Sequence, residues 1–272
     1  MRLQFLGCGD AFGSGGRFNT CFNVTTELTQ FLVDCGASSM IAIRRFGVEP
    51  NAIKTIFITH LHGDHFGGLP FFILDAQLVS RRTTPLTVAG PPGLRERLRQ
   101  AMEVLFPGSA DIARRFQVDV IELDSGAANI VNGVTVTPFL MKHACGAPPF
   151  ALRLECDGKS LAYTGDTEWV DALIPAAREA DLFIAEAYFW ERKVKYHLDW
   201  LTLKSHLGEI RAKRVILTHM SADMLGRSIE DGGDVASDGM VVECLPAVAG
   251  HAFLAGRVPL PTSSRADSWT LI

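Results

Sequence analysis

The sequence predicts a mixed α/β architecture in one domain, and three observations carry that prediction. Short apolar runs bounded by Gly, Asp or Thr recur along the chain, segments with helical periodicity fall between many of them, and no stretch has the composition of a linker. With 272 residues, 47% of them hydrophobic, the chain has apolar material for a substantial core.

In chain order, the strand-like runs are Leu3 to Leu6, Phe31 to Val33, Thr55 to Ile58, Leu86 to Val88, Val134 to Leu140, Phe150 to Leu154, Ser160 to Tyr163, Leu182 to Ala185 and Val215 to Leu217. Helices are predicted over Ser38 to Phe46, Leu69 to Val79, Gly93 to Phe106, Trp169 to Ala176 and Leu201 to Ile210. Asp157-Gly158 joins two of the strand-like runs as a hairpin turn, which favours sheets with substantial antiparallel content over purely parallel ones. Pro259 to Ile272 is Pro- and Ser-rich and is expected to be a poorly packed tail, leaving 1–258 as the domain.

Composition excludes several classes. The longest apolar stretch, around Leu69 to Val79, carries Asp75 and Gln77 and is too short to span a bilayer, so no membrane partner is expected. Strand-like sequence starts at Arg2, without room for a signal core, and a cytoplasmic location is expected. Six cysteines without CxxC spacing suggest reduced core thiols. A net charge of −4 disfavours a broad polyanion-binding surface.

The strongest chemical signal is Thr59-His60-Leu61-His62-Gly63-Asp64-His65, directly after a strand-like run. Imidazole and carboxylate suit zinc or a similar divalent ion, a loop would turn the side chains inward together, and Gly63 would supply the freedom of φ that a tight turn needs. Four neighbouring donors do not easily converge on one tetrahedral ion, so others must come from elsewhere. His143, Asp166 and His219 each follow a strand-like run. Singly, each reads as a surface residue or cap; their shared placement points to one site.

The order His-x-His-x-Asp-His, then His143, then Gly165-Asp166-Thr167, then Thr218-His219 resembles the metallo-β-lactamase superfamily, and Leu32-Val33-Asp34-Cys35-Gly36 resembles its first aspartate motif. The resemblance runs from Leu3 to about Met240. It implies a four-layer αββα sandwich, a metallo-β-lactamase-like hydrolase domain, with the site at one edge between two sheets. It also implies two divalent ions, zinc first with manganese or iron as alternatives: one on His60, His62 and His143, the other on Asp64, His65 and His219. Asp166 would bridge them and Asp34 would support the donors from behind. Such a pair of ions shares a water, lowers its pKa and makes a bridging hydroxide the nucleophile.

A leaving group needs a proton, and Glu186 with His197 is the candidate pair, since a carboxylate orients an imidazole and raises its basicity. Asp64 joins them among the catalytic candidates, because its removal would damage both metal affinity and rate. The segments around Glu186 and His197 are similar to the ribonuclease Z branch, although Ala185, Tyr188 and Leu198 depart from it. His197-Leu198-Asp199-Trp200, Ile216 to Ser221 and Ser237-Asp238-Gly239-Met240 resemble its relatives among small cyclic-phosphate and nucleotide phosphodiesterases. Only 22 residues separate His143 from Asp166, and the long basic, glycine-rich arm that grips tRNA in the nuclease branch is missing there, which disfavours tRNA as a partner.

The expected activity is therefore metal-dependent hydrolysis of a small anionic phosphodiester, a cyclic phosphate or a nucleotide. An esterase, thioesterase or lactonase of the same fold is the first alternative, and a metal-binding sensor without turnover is the second. A homodimer is left open. The loop Gly7 to Thr20, with five glycines, could offer backbone amides and Arg17 to an anion, or be no more than a mobile strand connection. His206, His251 and the run Arg95, Arg97, Arg99 are assigned to structure or solvated surface.

Overall fold

The computed structural model describes residues 1–227 and 233–244. The predicted tail Pro259 to Ile272 and His251 lie outside the described residues. The first half of the chain forms β1 (Arg2–Gly7), β2 (Cys21–Thr25), β3 (Gln30–Val33), α1 (Ser39–Arg45), β4 (Thr55–Phe57), α2 (Gly63–Phe66), α3 (Leu69–Leu78), β5 (Leu86–Gly90), α4 (Leu94–Leu105) and β6 (Val118–Glu122). The second half forms β7 (Asn129–Val131), β8 (Val134–Leu140), β9 (Phe150–Cys156), β10 (Lys159–Tyr163), α5 (Leu173–Ala177), β11 (Leu182–Glu186), α6 (Trp200–Ile210), β12 (Val215–Thr218), α7 (Ala222–Leu225), β13 (Asp234–Val235) and β14 (Val241–Glu243).

Among the described residues two seven-stranded sheets result, ordered β14-β1-β2-β3-β4-β5-β6 and β13-β12-β11-β10-β9-β8-β7. Each is antiparallel in one half and parallel in the other, the change falling at β3 in the first sheet and at β10 in the second. The fold is an α/β sandwich: the sheets face each other and helices cover both outer faces. Strand alternation explains how. Phe31 and Val33 point into the inter-sheet core, where they meet Leu152, Leu161 and Ile184. Leu32, between them, turns outward to Ile43, Leu69 and Phe72 beneath the first set of helices. In the second sheet Ile184 points inward, while Phe183 and Ala185 turn to Leu173, Leu203 and Ile210. Central strands buried on both faces read as continuous apolar runs, which is why those segments stood out in the sequence.

Strand direction sets the site. The ends of β3, β4, β8, β10, β11 and β12 all emerge on the same edge of the sandwich, since β8 and β10 both run antiparallel to β9 and the other neighbours are parallel. Open α/β sheets bind ligands at the carboxyl ends of their parallel strands.

Two local expectations change. The helix predicted from Trp169 begins only at Leu173. That start places Pro175 in the first turn, where a missing N–H costs nothing; a start at Trp169 would put the proline in the helix interior. Gly63 opens α2 rather than a loop, its φ is not positive, and a Cβ there would meet open space, so glycine is not demanded at that position. Gly36 is the glycine the motif does require: a Cβ there would lie 2.1 Å from the Asp64 carbonyl oxygen. The Asp157-Gly158 turn is a hairpin with φ of 52° and 67°, and Asn132-Gly133, with φ of 48° and 83°, makes a second one between β7 and β8. Left-handed φ at both central residues is the type I′ geometry. No helix among the described residues is long and apolar enough to cross a membrane.

Candidate metal centre

Asp34 lies at the bottom of the site. It leaves β3 with a left-handed φ of 58° and is fully buried. Its Oδ1 accepts hydrogen bonds from the Thr59 backbone N–H at 2.8 Å and the Thr59 hydroxyl at 3.1 Å. Its Oδ2 lies 2.7 Å from His65 Nδ1. With the Asp34 acceptor at Nδ1, His65 holds a proton there and points Nε2 into the groove. Burial pushes the Asp34 carboxyl up from its ordinary range, against the pull of His65 and Thr59. Thr59 also places its hydroxyl 3.1 Å from His60 Nδ1, so the strand end orients two imidazoles at once.

Two neighbouring donor groups converge above this base. His60, His62 and His143 offer atoms within 4.8 Å of one another, and Asp64, His65, Asp166 and His219 do the same. His143 Nε2 is 2.9 Å from His62 Nδ1. His65 Nε2 is 3.3 Å from Asp64 Oδ2 and 3.2 Å from Asp166 Oδ1, and His219 Nε2 is 3.1 Å from Asp64 Oδ2. The other oxygen of Asp166 is 3.9 Å from His60 Nε2 and 3.5 Å from His219 Nε2, so Asp166 stands between the groups. His219, like Asp34, leaves its strand with a positive φ, of 56°. All seven donor residues named from the sequence lie in this one cluster.

The chemistry of the cluster fits divalent cations. Among the described residues His60 Nε2 is buried with no hydrogen-bond partner, an arrangement costly for a nitrogen unless a cation takes its lone pair. Burial and the neighbouring His65 push the His60 pKa well below its ordinary value, leaving a neutral imidazole, the form that binds metal. For Asp64 and Asp166, burial raises the pKa but the adjacent imidazoles outweigh it and hold both carboxyls well below the usual range. For His219, burial lowers the pKa while Asp166, Asp64 and Glu186 raise it to about 10. Carboxylates that attract a proton to this place attract a metal ion equally, and the ion must displace that proton.

Glu186 and His197 lie beside the cluster. Glu186, fully buried at the end of β11, places Oε1 2.5 Å from His197 Nδ1 and 3.5 Å from His219 Nδ1. Its Oε2 accepts from Thr167 N–H at 2.9 Å and Leu198 N–H at 3.3 Å. Burial lowers the His197 pKa, but the Glu186 hydrogen bond and charge raise it above the ordinary histidine value. Beside His197 is a hollow of about 270 Å³ lined by Glu168, Trp169, Lys193, Lys195, Asp199 and Thr202.

The Gly-rich loop departs from its expected use. Asp10, buried beneath it, accepts from the N–H groups of Phe12 and Ser14 and from the Ser14 hydroxyl, so those amides already have partners. Arg17 turns toward Cys8 Sγ at 3.5 Å rather than outward. Asp238 accepts from the N–H groups of Cys8 and Phe18 and anchors the same loop. His206 stacks on Trp169 at 3.8 Å, and Arg95, Arg97 and Arg99 are exposed. Sequence reading missed Thr59, Thr167 and Tyr196. The first two flank predicted donors and had a signal in that adjacency; Tyr196, whose carbonyl lies 2.9 Å from His143 Nδ1, had none.

The family model described as Anti-Pycsar protein Apyc1 matches residues 1–235. Ribonuclease Z of Geobacillus kaustophilus (strain HTA426) is 27% identical over 286 aligned positions, covering 84% of this chain and 91% of the relative. The crystal structure of human tRNase Z, short form, superposes with a TM-score of 0.73 at 26% identity, covering 90% of this chain and 99% of that one. The metallo-β-lactamase fold protein YhfI from Bacillus subtilis superposes with a TM-score of 0.71 at 19% identity, covering 88% and 98%. The chain thus has the metallo-β-lactamase fold and is a hydrolase related to ribonuclease Z.

Proposed function

The chain belongs to the Anti-Pycsar protein Apyc1 family, and from that premise we propose that it is a dinuclear metal-dependent phosphodiesterase whose substrate is a small phosphodiester, a cyclic phosphate or nucleotide. The observation that carries this reading is the Glu186–His197 pair, 2.5 Å apart at the rim of a seven-donor cation cluster. In this reading His60, His62 and His143 would hold one ion and Asp64, His65 and His219 the other, with an Asp166 oxygen available to each group. Zinc is the first candidate, with manganese or iron as alternatives. When bound, two such ions lower the pKa of a shared water and draw charge from the phosphoryl oxygens.

The chain's own groups do the rest. Asp34 and Thr59 fix the tautomers and directions of His65 and His60, so the donors are set before any ion arrives. Glu186 holds His197 by Nδ1, which leaves Nε2 to deliver a proton to the departing alkoxide oxygen. The raised pKa keeps that proton available near neutral pH. A ribonuclease breaks a phosphodiester with an alkoxide leaving group, and likeness to ribonuclease Z favours the same bond type here. The segment between His143 and Asp166 is taken up by a short loop and the β9–β10 hairpin, so tRNA is not the proposed substrate.

Purified protein loaded with Zn or Mn should hydrolyse bis(p-nitrophenyl) phosphate. His197→Ala should slow alkyl and cyclic phosphodiesters by about 10²- to 10⁴-fold while sparing the p-nitrophenyl substrate, whose leaving group departs without a proton. Ester or lactone hydrolysis with no phosphodiester cleavage would overturn the reading.

A further inference from the structure

The segment between β11 and α6 makes a tight turn, Val194-Lys195-Tyr196-His197, closed by a hydrogen bond from the His197 N–H to the Val194 carbonyl at 3.2 Å. Tyr196 occupies its third position with φ of 74°, while Lys195 keeps a negative φ. That is the type II pattern, whose third position favours glycine; a tyrosine there is strained. Rotating the central peptide, between Lys195 and Tyr196, would give a type I turn and relieve the strain.

Something must hold that peptide, and Glu168 does. Its Oε2 accepts the Tyr196 N–H, the donor of the central peptide, at 3.1 Å. Its Oε1 pairs with Lys142 Nζ at 2.6 Å, and its own N–H donates to the Lys142 carbonyl at 3.3 Å. Lys142 N–H in turn donates to Thr167 Oγ1 at 3.1 Å. Glu168 therefore ties three segments together: the one carrying His143, the one carrying Asp166, and the turn carrying His197. The held orientation has a consequence for one imidazole. The Tyr196 carbonyl lies 2.9 Å from His143 Nδ1, so it takes the Nδ1 proton and leaves Nε2 free, pointing toward His62.

We infer that Glu168 is a positioning residue that locks the Val194–His197 turn so that the Tyr196 carbonyl orients His143 for cation binding. The inference rests on the proposed role of His143 as a metal ligand. The Lys142 ion pair is largely solvent-exposed and is not the source of the effect. What matters is the acceptor offered to the Tyr196 N–H.

The test is stepwise extraction of Zn(II) from the loaded protein by a chelator, with retained metal measured at each step. His143→Ala identifies the ion that depends on that imidazole. Glu168→Ala should weaken retention of the same ion by about 10- to 100-fold, the usual consequence of losing an outer partner of a metal-bound histidine, and leave the other ion within about twofold. Glu168→Gln keeps an amide oxygen for the Tyr196 N–H and should stay close to wild type. The double variant E168A/Y196G should recover most of the loss, because glycine holds the positive φ without a clasp. Unchanged retention in Glu168→Ala, a Gln variant as weak as Ala, or no recovery in the double variant would each overturn the clasp. If wild type holds no ion that His143→Ala releases, the ligand reading itself fails, and the clasp with it.

Discussion

The two sheets build their shares of the site in opposite ways. The first concentrates four donors within six residues after one strand, His60 to His65, all placed by a single turn and braced by Asp34 and Thr59. The second supplies His143, Asp166, Glu186 and His219 one at a time, each from the end of a different strand. A concentrated cluster depends on one local backbone geometry. A distributed one depends on the register of the whole sheet, so each of its residues acts from a separately fixed position.

Asp166→Ala should have the largest effect. Asp166 comes from the second sheet but stands between both donor groups, so its loss should lower phosphodiester turnover by roughly 10³-fold or more and release metal from both positions. His62→Ala, a loss from one group only, should leave one ion in place. Elemental analysis beside turnover measurements distinguishes these outcomes, and equal metal loss in both variants would show that the two groups do not act separately.

A smaller effect tests the distributed side alone. In the folded protein Glu186 raises the His197 pKa above the ordinary value. An acid must be protonated to act, so kcat/KM for a poor leaving group falls as pH rises through that pKa. Glu186→Gln removes the carboxylate charge, and the basic limb of the profile should move to lower pH, toward or below the ordinary histidine range. A limb that stays in place would assign it to another group.

The smallest effect tests the concentrated side. Gly36→Ala forces a Cβ against the Asp64 carbonyl and should cost about 1–3 kcal/mol of stability, read by denaturant unfolding. Gly63→Ala, inside the donor motif itself, meets nothing and should stay within about 0.5 kcal/mol of wild type. Equal costs would mean that the turn, rather than its contact with the β3–α1 connection, sets the requirement for glycine.

The same contrast governs what was legible in the sequence. His60 to His65 stood out because its donors are neighbours in the chain. His143, Asp166 and His219 could be named because each follows a strong apolar run, and strand ends converge in a parallel half-sheet. The strands that escaped notice are mostly at edges: β6 has no fully buried residue, β7 and β14 have three residues each, and β13 has two. Their apolar pattern is weak because they bury one face or none. β2 escaped for another reason, since Asn23 and the flanking threonines interrupt an otherwise apolar run. Asp10's hold on the Gly-rich loop and the left-handed Tyr196 carry no sequence signal at all. A carboxylate that caps amides and one that meets ligand are the same letter, and φ is not written in residue type.

One consequence of the strand order concerns synthesis. β10, β11 and β12 pair side by side in the second sheet, and His219 enters the groove only after β12 has docked against β11. The turn holding His60 to His65 leaves the ribosome more than 150 residues earlier. For most of translation the chain therefore carries an open, incomplete set of imidazoles. The fully enclosing arrangement is among the last contacts to form, so under the proposed ligand reading tight cation retention would report that the late strands have found their register.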